Sequence, residues 1–271
     1  MSLCVYCGQE GKVTREHILP AFIYEYQYNI GSGKMIGWQE KPKKLIYGEA
    51  KIKDVCTHCN VVILCELDGY VKNLLEKSGF FTENFSQKNV NIRYNYSLLS
   101  RWLLKVAFNS SRASDNKLFF FDKYKNIILG KTKDFSNFAM SAGLFKPLKL
   151  TAIEIIKYGK ALKADSFGYV NPFIGRVSEI KFNSPEFSVK QIVIGALILH
   201  IIAFKDNLSR EDKKKIIKEY LNKCKGMTLI RKNKSQINIV QTPLTFMDSM
   251  QHYMLHPDVE PQLEELLKKN N

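Results

Sequence analysis

The chain lacks the features that would carry it out of a cell or into a bilayer. Its opening residues, MSLCVYCG, hold neither a basic run nor an apolar stretch of leader type. Its longest apolar run, IVIGALILHIIAF at residues 192–204, contains His200 and falls short of the roughly 20 residues that span a membrane. That run reads as a buried strand or core helix. No internal repeat and no long low-complexity tract interrupts the sequence. Cysteine is sparse, at six in 271 residues, and its spacing does not suggest a disulfide framework. The expectation is a soluble, cytoplasmic protein with no membrane partner.

What is present is an ordinary globular composition, 45% apolar and 25% charged. The length can bury a sizeable core and suggests two domains, or one with a long extension. The net charge of +15 is unevenly spread: residues 1–80 hold 10 basic and 9 acidic side chains, residues 81–150 hold 12 and 4, and residues 151–271 hold 19 and 13. A basic surface attracts phosphate polymers in a salt-dependent way. Nucleic acid is therefore the expected partner, gripped outside the nearly neutral N-terminal segment.

Four of the cysteines form two C-x-x-C pairs, Cys4/Cys7 and Cys56/Cys59. Each pair can offer two thiolates from one tight turn, which is how a tetrahedral structural Zn²⁺ site is built. Cys65 and Cys224 stand alone and read as small buried apolar residues.

Three segments follow from the patterning. Residues 1–80 run knuckle, extended segment, hairpin (KMIGW and KLIYGEAKIKDV around QEKPK), knuckle and helix, with Leu64, Leu67, Val71 and Leu74 on one stripe. Residues 81–150 hold a polar loop and then a helix, YSLLSRWLLKVAFNSSRAS. On it Arg101, Lys105 and Arg112 form a basic stripe, either a solvated face or a nucleic-acid contact. KLFFFDKYKNIILGKTKDF reads as a core strand. Residues 151–271 read as an α+β domain. Its strands are LTAIEIIKYG, GRVSEIKFN, MTLIRKN and QINIVQT; a helix is capped by Ser209, and further helix lies near the C-terminus. No catalytic motif stands out there, which leaves an effector or a partner protein as what this domain could recognise.

One ordered set remains: Cys4-x-x-Cys7-Gly8, then Glu16-His17-Ile18-x-Pro20, then Cys56-x-x-Cys59-Asn60, then Asp68 in the following helix. Over residues 4–78 this set resembles the HNH endonucleases, the ββα-metal or His-Me finger nucleases, in the branch stapled by two zinc knuckles. The resemblance implies an α+β fold: an N-terminal zinc-stapled, treble-clef-like ββα-metal nuclease module followed by a basic α+β extension. It implies that His17 is the general base, Asn60 its orienting partner, and Glu16 and Asp68 ligands of a catalytic Mg²⁺ or Mn²⁺. The implied activity is phosphodiester hydrolysis, most often of DNA, in restriction, phage defence or mobile elements. The chain departs from the name-giving pattern at Asp68, where the family carries histidine; His58, inside the second knuckle, is a substitute ligand.

The chemistry supports these roles. A histidine, whose ordinary pKa is near 6.5, suits a base at neutral pH. Adjacent strand residues point to opposite faces, so Glu16 and His17 can do different work where the strand bends, and Pro20 helps to end it. Two carboxylates make a hard-oxygen site. The rival readings are equally concrete. Asn60 can simply cap the helix at Val61, Asp68 can be a surface acid, and the whole module can be a non-catalytic zinc finger that binds nucleic acid or a regulator.

Overall fold

Two tight turns and the strands between them start the chain. In the computed structural model, which describes residues 2–30, 36–39, 43–114, 118–160, 162–249, 259 and 261–262, β1 (Ser2–Leu3) and β2 (Glu10–Gly11) flank the first knuckle. Strand β3 (Val13–His17) follows and stops before Pro20, and α1 (Ala21–Ile30) begins at the next residue. The expected hairpin is present as β4 (Ile36–Gln39) and β5 (Lys44–Tyr47), its turn lying partly outside the described residues. The chain then enters β6 (Lys51–Cys56), which pairs antiparallel with β3. A π-helical turn at Cys59–Leu64 runs straight into α2 (Cys65–Lys77), which buries Leu67, Val71 and Leu75.

The remainder wraps a five-stranded antiparallel sheet. After β7 (Asn89–Arg93) comes α3 (Tyr96–Ser114), then α4 (Leu118–Phe121), a 3-10 turn (Asp122–Tyr124) and α5 (Lys125–Ile128). Next come β8 (Phe138–Leu144), β9 (Leu148–Lys149), α6 (Ala152–Tyr158), β10 (Tyr169–Val170), β11 (Gly175–Ile180), β12 (Phe187–Ile194) and β13 (Leu197–Phe204). Helix α7 (Arg210–Lys223), β14 (Thr228–Ile230) and β15 (Gln236–Val240) complete the order. The sheet runs β11-β12-β13-β8-β14. β15 pairs with β7, and both alternate buried and exposed residues, as strands with one solvated face do.

Every residue of β12 and β13 is buried, because both faces of the sheet are covered. On one face Ile192, Leu199 and Ile201 join α3 and the N-terminal residues Leu19, Ile23 and Val55 in one apolar cluster. On the other, Val193, Ile198 and Ile202 pack with Ile216 and Tyr220 of α7. The apolar core therefore does not stop at residue 80. The run 192–204 is two strands, folded at Gly195, whose φ of +56° and closeness to the Phe173 ring (2.8 Å from an added Cβ) both favour glycine. Among the described residues no helix is long and apolar enough to cross a membrane.

Two strand expectations are corrected. LFFFDKYKNII is helical, with Phe120, Phe121, Tyr124, Ile127 and Ile128 buried at spacings of three and four. AIEIIKY is α6, because Thr151 and Glu154 form a reciprocal capping box that starts a helix despite the β-branched residues. The Ser209 cap is present, its side chain accepting from the Asp212 N–H. The expected C-terminal helix lies mostly outside the described residues.

The doubly covered sheet also encloses His200. Its Nε2–H donates to Gln191 Oε1 at 3.0 Å, and Nδ1 accepts from the Tyr220 hydroxyl at 2.6 Å, which in turn bonds Ser141. Burial pushes its pKa down from 6.5 to about 3, so the ring is neutral in the fold and takes up a proton on unfolding. Its contribution is complete above pH 6.5 and is lost as the pH falls from there toward 3. Urea unfolding between pH 7 and 4 is expected to show stability falling by up to about 1.4 kcal/mol per pH unit from this group. The slope is expected to be shallower in His200→Gln.

Candidate active site and metal centre

The paired C-x-x-C turns meet. The Sγ atoms of Cys4, Cys7, Cys56 and Cys59 all lie within 4.8 Å of one another, and those of Cys7 and Cys56 are 3.8 Å apart. Four thiolates around a tetrahedral zinc at about 2.3 Å are spaced by about 3.8 Å, so the set fits a structural Zn²⁺. The backbone builds it locally: Gly8, at φ +74°, donates to the Cys4 carbonyl at 2.8 Å and closes the first turn. The Cys56 N–H points at Cys4 Sγ (3.3 Å) and the Cys59 N–H at Cys56 Sγ (3.5 Å). Burial raises the Cys4 thiol pKa, but N–H groups of Cys56, Cys7 and Tyr6 outweigh it and bring it to about 7. Cys224 is buried against α7 as expected. Cys65 is not: it faces solvent on the outer side of α2. His58 is exposed and stands outside the sites described below.

Strands β3 and β6, separated in the chain by α1, β4 and β5, pair with each other, and the helical segment beyond Cys59 follows β6. The β3–β6 register shifts between Thr14 and Arg15, just before the acid-histidine pair, leaving Asp54 of β6 as the extra, unpaired residue. Glu16 turns inward and is 4% exposed, while the His17 side chain stays 22% exposed, the opposite faces that strand geometry demands. Asn60 does not touch His17. Its Nδ2 donates to Thr14 Oγ1 at 2.8 Å and to the Arg15 carbonyl at 3.1 Å, so it ties the π-helical turn to β3 and fixes backbone two residues before the histidine. It makes no side-chain helix cap either. Asn60→Ala is expected to cost about 1–2 kcal/mol in urea unfolding of the zinc-loaded protein.

Glu16 and Asp68 are brought together, and Lys105 lies between them. Its Nζ is 2.7 Å from Glu16 Oε1 and 2.7 and 2.8 Å from the two Asp68 oxygens. Trp102 Nε1 donates to Asp68 Oδ1 at 3.0 Å and Asn109 Nδ2 to Glu16 Oε1 at 3.4 Å. The Lys105 side chain is 0% exposed. Burial alone would lower its pKa, but the Asp68 and Glu16 carboxylates outweigh that and raise it, so the ammonium stays charged. The pair does not fit a divalent cation as arranged, because an ammonium already fills the space that the ion and its waters need. Asp68 keeps 24% of its side chain exposed. Glu66 faces solvent on the far side of α2, as helical spacing requires.

His17 has a different partner. Its Nε2 is 2.8 Å from Glu49 Oε2, across the β3–β6 ladder in which His17 faces Lys51. Lys51 Nζ approaches the same Glu49 oxygen at 2.6 Å. Partial burial raises the Glu49 pKa, and the hydrogen bonds from Lys51 and His17 outweigh it, holding the carboxyl below its usual range. An ionised Glu49 accepts from Nε2–H and leaves Nδ1 as the basic nitrogen. No described group hydrogen-bonds Nδ1. The Tyr24 ring lies 5.9 Å from the imidazole, and Asn109 Nδ2 donates to the His17 carbonyl at 3.0 Å. The expected four-residue constellation is thus two sites on opposite faces of one strand.

The basic stripe on α3 is corrected as well. Lys105 is sealed inside. The Arg112 side chain is 6% exposed, paired with Asp54, and its guanidinium lies 4.9 Å from the Phe108 ring centre. Arg101 Nε donates to the Ile128 carbonyl at 2.9 Å, its guanidinium against Gly130. Lys105 and Arg112 are thus interior cations, while Arg101 stays partly exposed. Glu49, Trp102 and Asn109 complete the two sites and were not singled out as site residues in the sequence. Trp102, Lys105 and Asn109 recur at three and four residues on α3, polar groups in an apolar stripe, which was the available signal. No protein-family model, no curated protein and no solved structure matches the chain.

Proposed function

We propose that the chain is an HNH-type nuclease that hydrolyses phosphodiester bonds, with DNA as the first substrate and His17 as general base. The observation that carries the reading is the partly exposed His17, held by Glu49 on one ring nitrogen and without a described hydrogen-bond partner on the other, on a strand pair beside four clustered cysteines. In the step this supports, Nδ1 takes a proton from water as the oxygen attacks phosphorus, and the leaving oxygen departs with the bonding pair and takes a proton from solvent. Glu49 keeps the ring oriented and stabilises the imidazolium that forms. Lys51 adds positive charge beside the pair. The zinc expected on the cysteines would be structural, and no step runs through a second ion, since Glu16 and Asp68 are held by Lys105.

A second reading has an observation of its own. Because an ammonium ties up the two acids, the unit also suits a non-catalytic zinc module that binds nucleic acid. Supercoiled plasmid and single-stranded RNA, each incubated with the zinc-loaded protein with and without Mg²⁺, separate the two. Nicking supports the nuclease; salt-sensitive binding with no cleavage of either substrate supports the second reading and ends the first.

Both readings need an exposed phosphate track. An open groove of about 310 Å³ is lined by Arg210, Lys213 and Lys214 of α7 beside Phe204. Replacing these three cations by alanine is expected to lower the slope of log K against log salt by about 2.7, measured by fluorescence anisotropy on duplex DNA.

A further inference from the structure

We infer that Lys105 is the permanent cation of the Glu16–Asp68 site: its ammonium stands where a divalent ion would sit, so the native chain takes up no Mg²⁺ or Mn²⁺ there, and removing the ammonium opens a Mn²⁺ site. The inference concerns ion occupancy and does not depend on whether the protein cleaves nucleic acid.

The geometry is that of a filled cation site. Three carboxylate oxygens converge on one point, at 2.7, 2.7 and 2.8 Å from Nζ. Hard cations of this class bind oxygen at about 2.0–2.2 Å, so the carboxylates need to close by about 0.5–0.8 Å each to hold such an ion. Three protein oxygens with water in the remaining positions is a normal shell for Mg²⁺ or Mn²⁺. An ammonium and a divalent ion cannot share the space, because they would repel at close contact in surroundings screened little by water.

Nor can Lys105 step aside. Its side chain is 0% exposed, and α3 buries Trp102, Leu103, Leu104, Val106, Ala107 and Phe108 completely around it. Moving the helix would expose that whole face to water, so the ammonium is a fixture of the fold and not a gate. Trp102 and Asn109 donate to the same two carboxylates and hold them in place whichever cation is present.

The test is a Mn²⁺ titration of the full-length, zinc-loaded protein, read as the loss of the free-ion EPR signal. The native protein and Asp68→Asn are expected to bind Mn²⁺ equally, through weak surface contacts alone. Lys105→Ala is expected to gain one Mn²⁺ per chain, bound at least tenfold more tightly than any site in the native protein, and Lys105→Ala/Asp68→Asn is expected to lose it. One Mn²⁺ per native chain that disappears in Asp68→Asn overturns the inference, as does a folded Lys105→Ala that gains nothing. Should Lys105→Ala fail to fold, the native and Asp68→Asn pair decides: equal titrations sustain the assignment, and loss of a site in Asp68→Asn removes it.

Discussion

Lys105→Met is expected to lower the unfolding free energy by about 3–5 kcal/mol, the usual consequence of removing one partner from a buried ion pair. The substitution leaves Glu16, 4% exposed, and Asp68 with their charges facing each other and no counter-ion. Trp102 and Asn109 still donate to them, but neutral donors do not cancel a carboxylate charge. At roughly 2–4 °C per kcal/mol for a chain of about this size, the thermal midpoint should drop on the order of 10 °C. The triple variant Lys105→Met/Glu16→Gln/Asp68→Asn is expected to recover most of the loss, because a site without charges has none left unpaired. Thermal and urea unfolding of the single and triple variants check both halves. A single variant as stable as the native protein would mean that the ammonium is not sealed between the acids.

Removing zinc is expected to unfold the N-terminal unit while leaving the central sheet formed. Structural zinc contributes about 10–16 kcal/mol of apparent binding energy in finger-sized peptides, more than a unit of this size can draw from apolar burial alone. β1, β2, β3 and β6 are short, and the two turns that pin them meet at the four sulfur atoms. β12 and β13 are buried on both faces, and one of those faces packs on α7. Hydrogen exchange after chelation, or in Cys56→Ser, should therefore lose protection across β1, β2, β3, β6 and α2 and keep it across residues 187–204. One zinc per native chain and less than a tenth of that in Cys56→Ser is the matching metal analysis. Unchanged protection after complete zinc removal would show that the core shared with α3 holds the unit without metal.

What could be read from the sequence was local. Each C-x-x-C turn announces itself within four residues, and the helices α2 and α3 follow from apolar spacing over three or more turns. The partners of the site residues could not be read, because they depend on long-range register. Glu49 reaches His17 only because β3 and β6 pair with His17 opposite Lys51, a pairing across more than 30 residues. Lys105 reads as part of a solvated stripe with Arg101 and Arg112 until the other elements show that Lys105 and Arg112 are sealed inside. Asn60 was assigned a ring-orienting role, whereas its amide is spent on Thr14 and Arg15. The Thr151–Glu154 capping box that starts α6 is a four-residue signal, local enough to be legible in the sequence. The helical spacing of Phe120, Phe121, Tyr124, Ile127 and Ile128 was likewise available.

The functional claim rests on His17 with Glu49, and the initial rate of plasmid nicking tests it most directly. It is compared in the native protein, His17→Ala and Glu49→Gln, with folding and zinc content matched. The account predicts a loss of about 10²–10⁴-fold for His17→Ala, and for Glu49→Gln a smaller loss with a changed pH–rate profile. Folded, zinc-loaded His17→Ala that nicks at the native rate would contradict it.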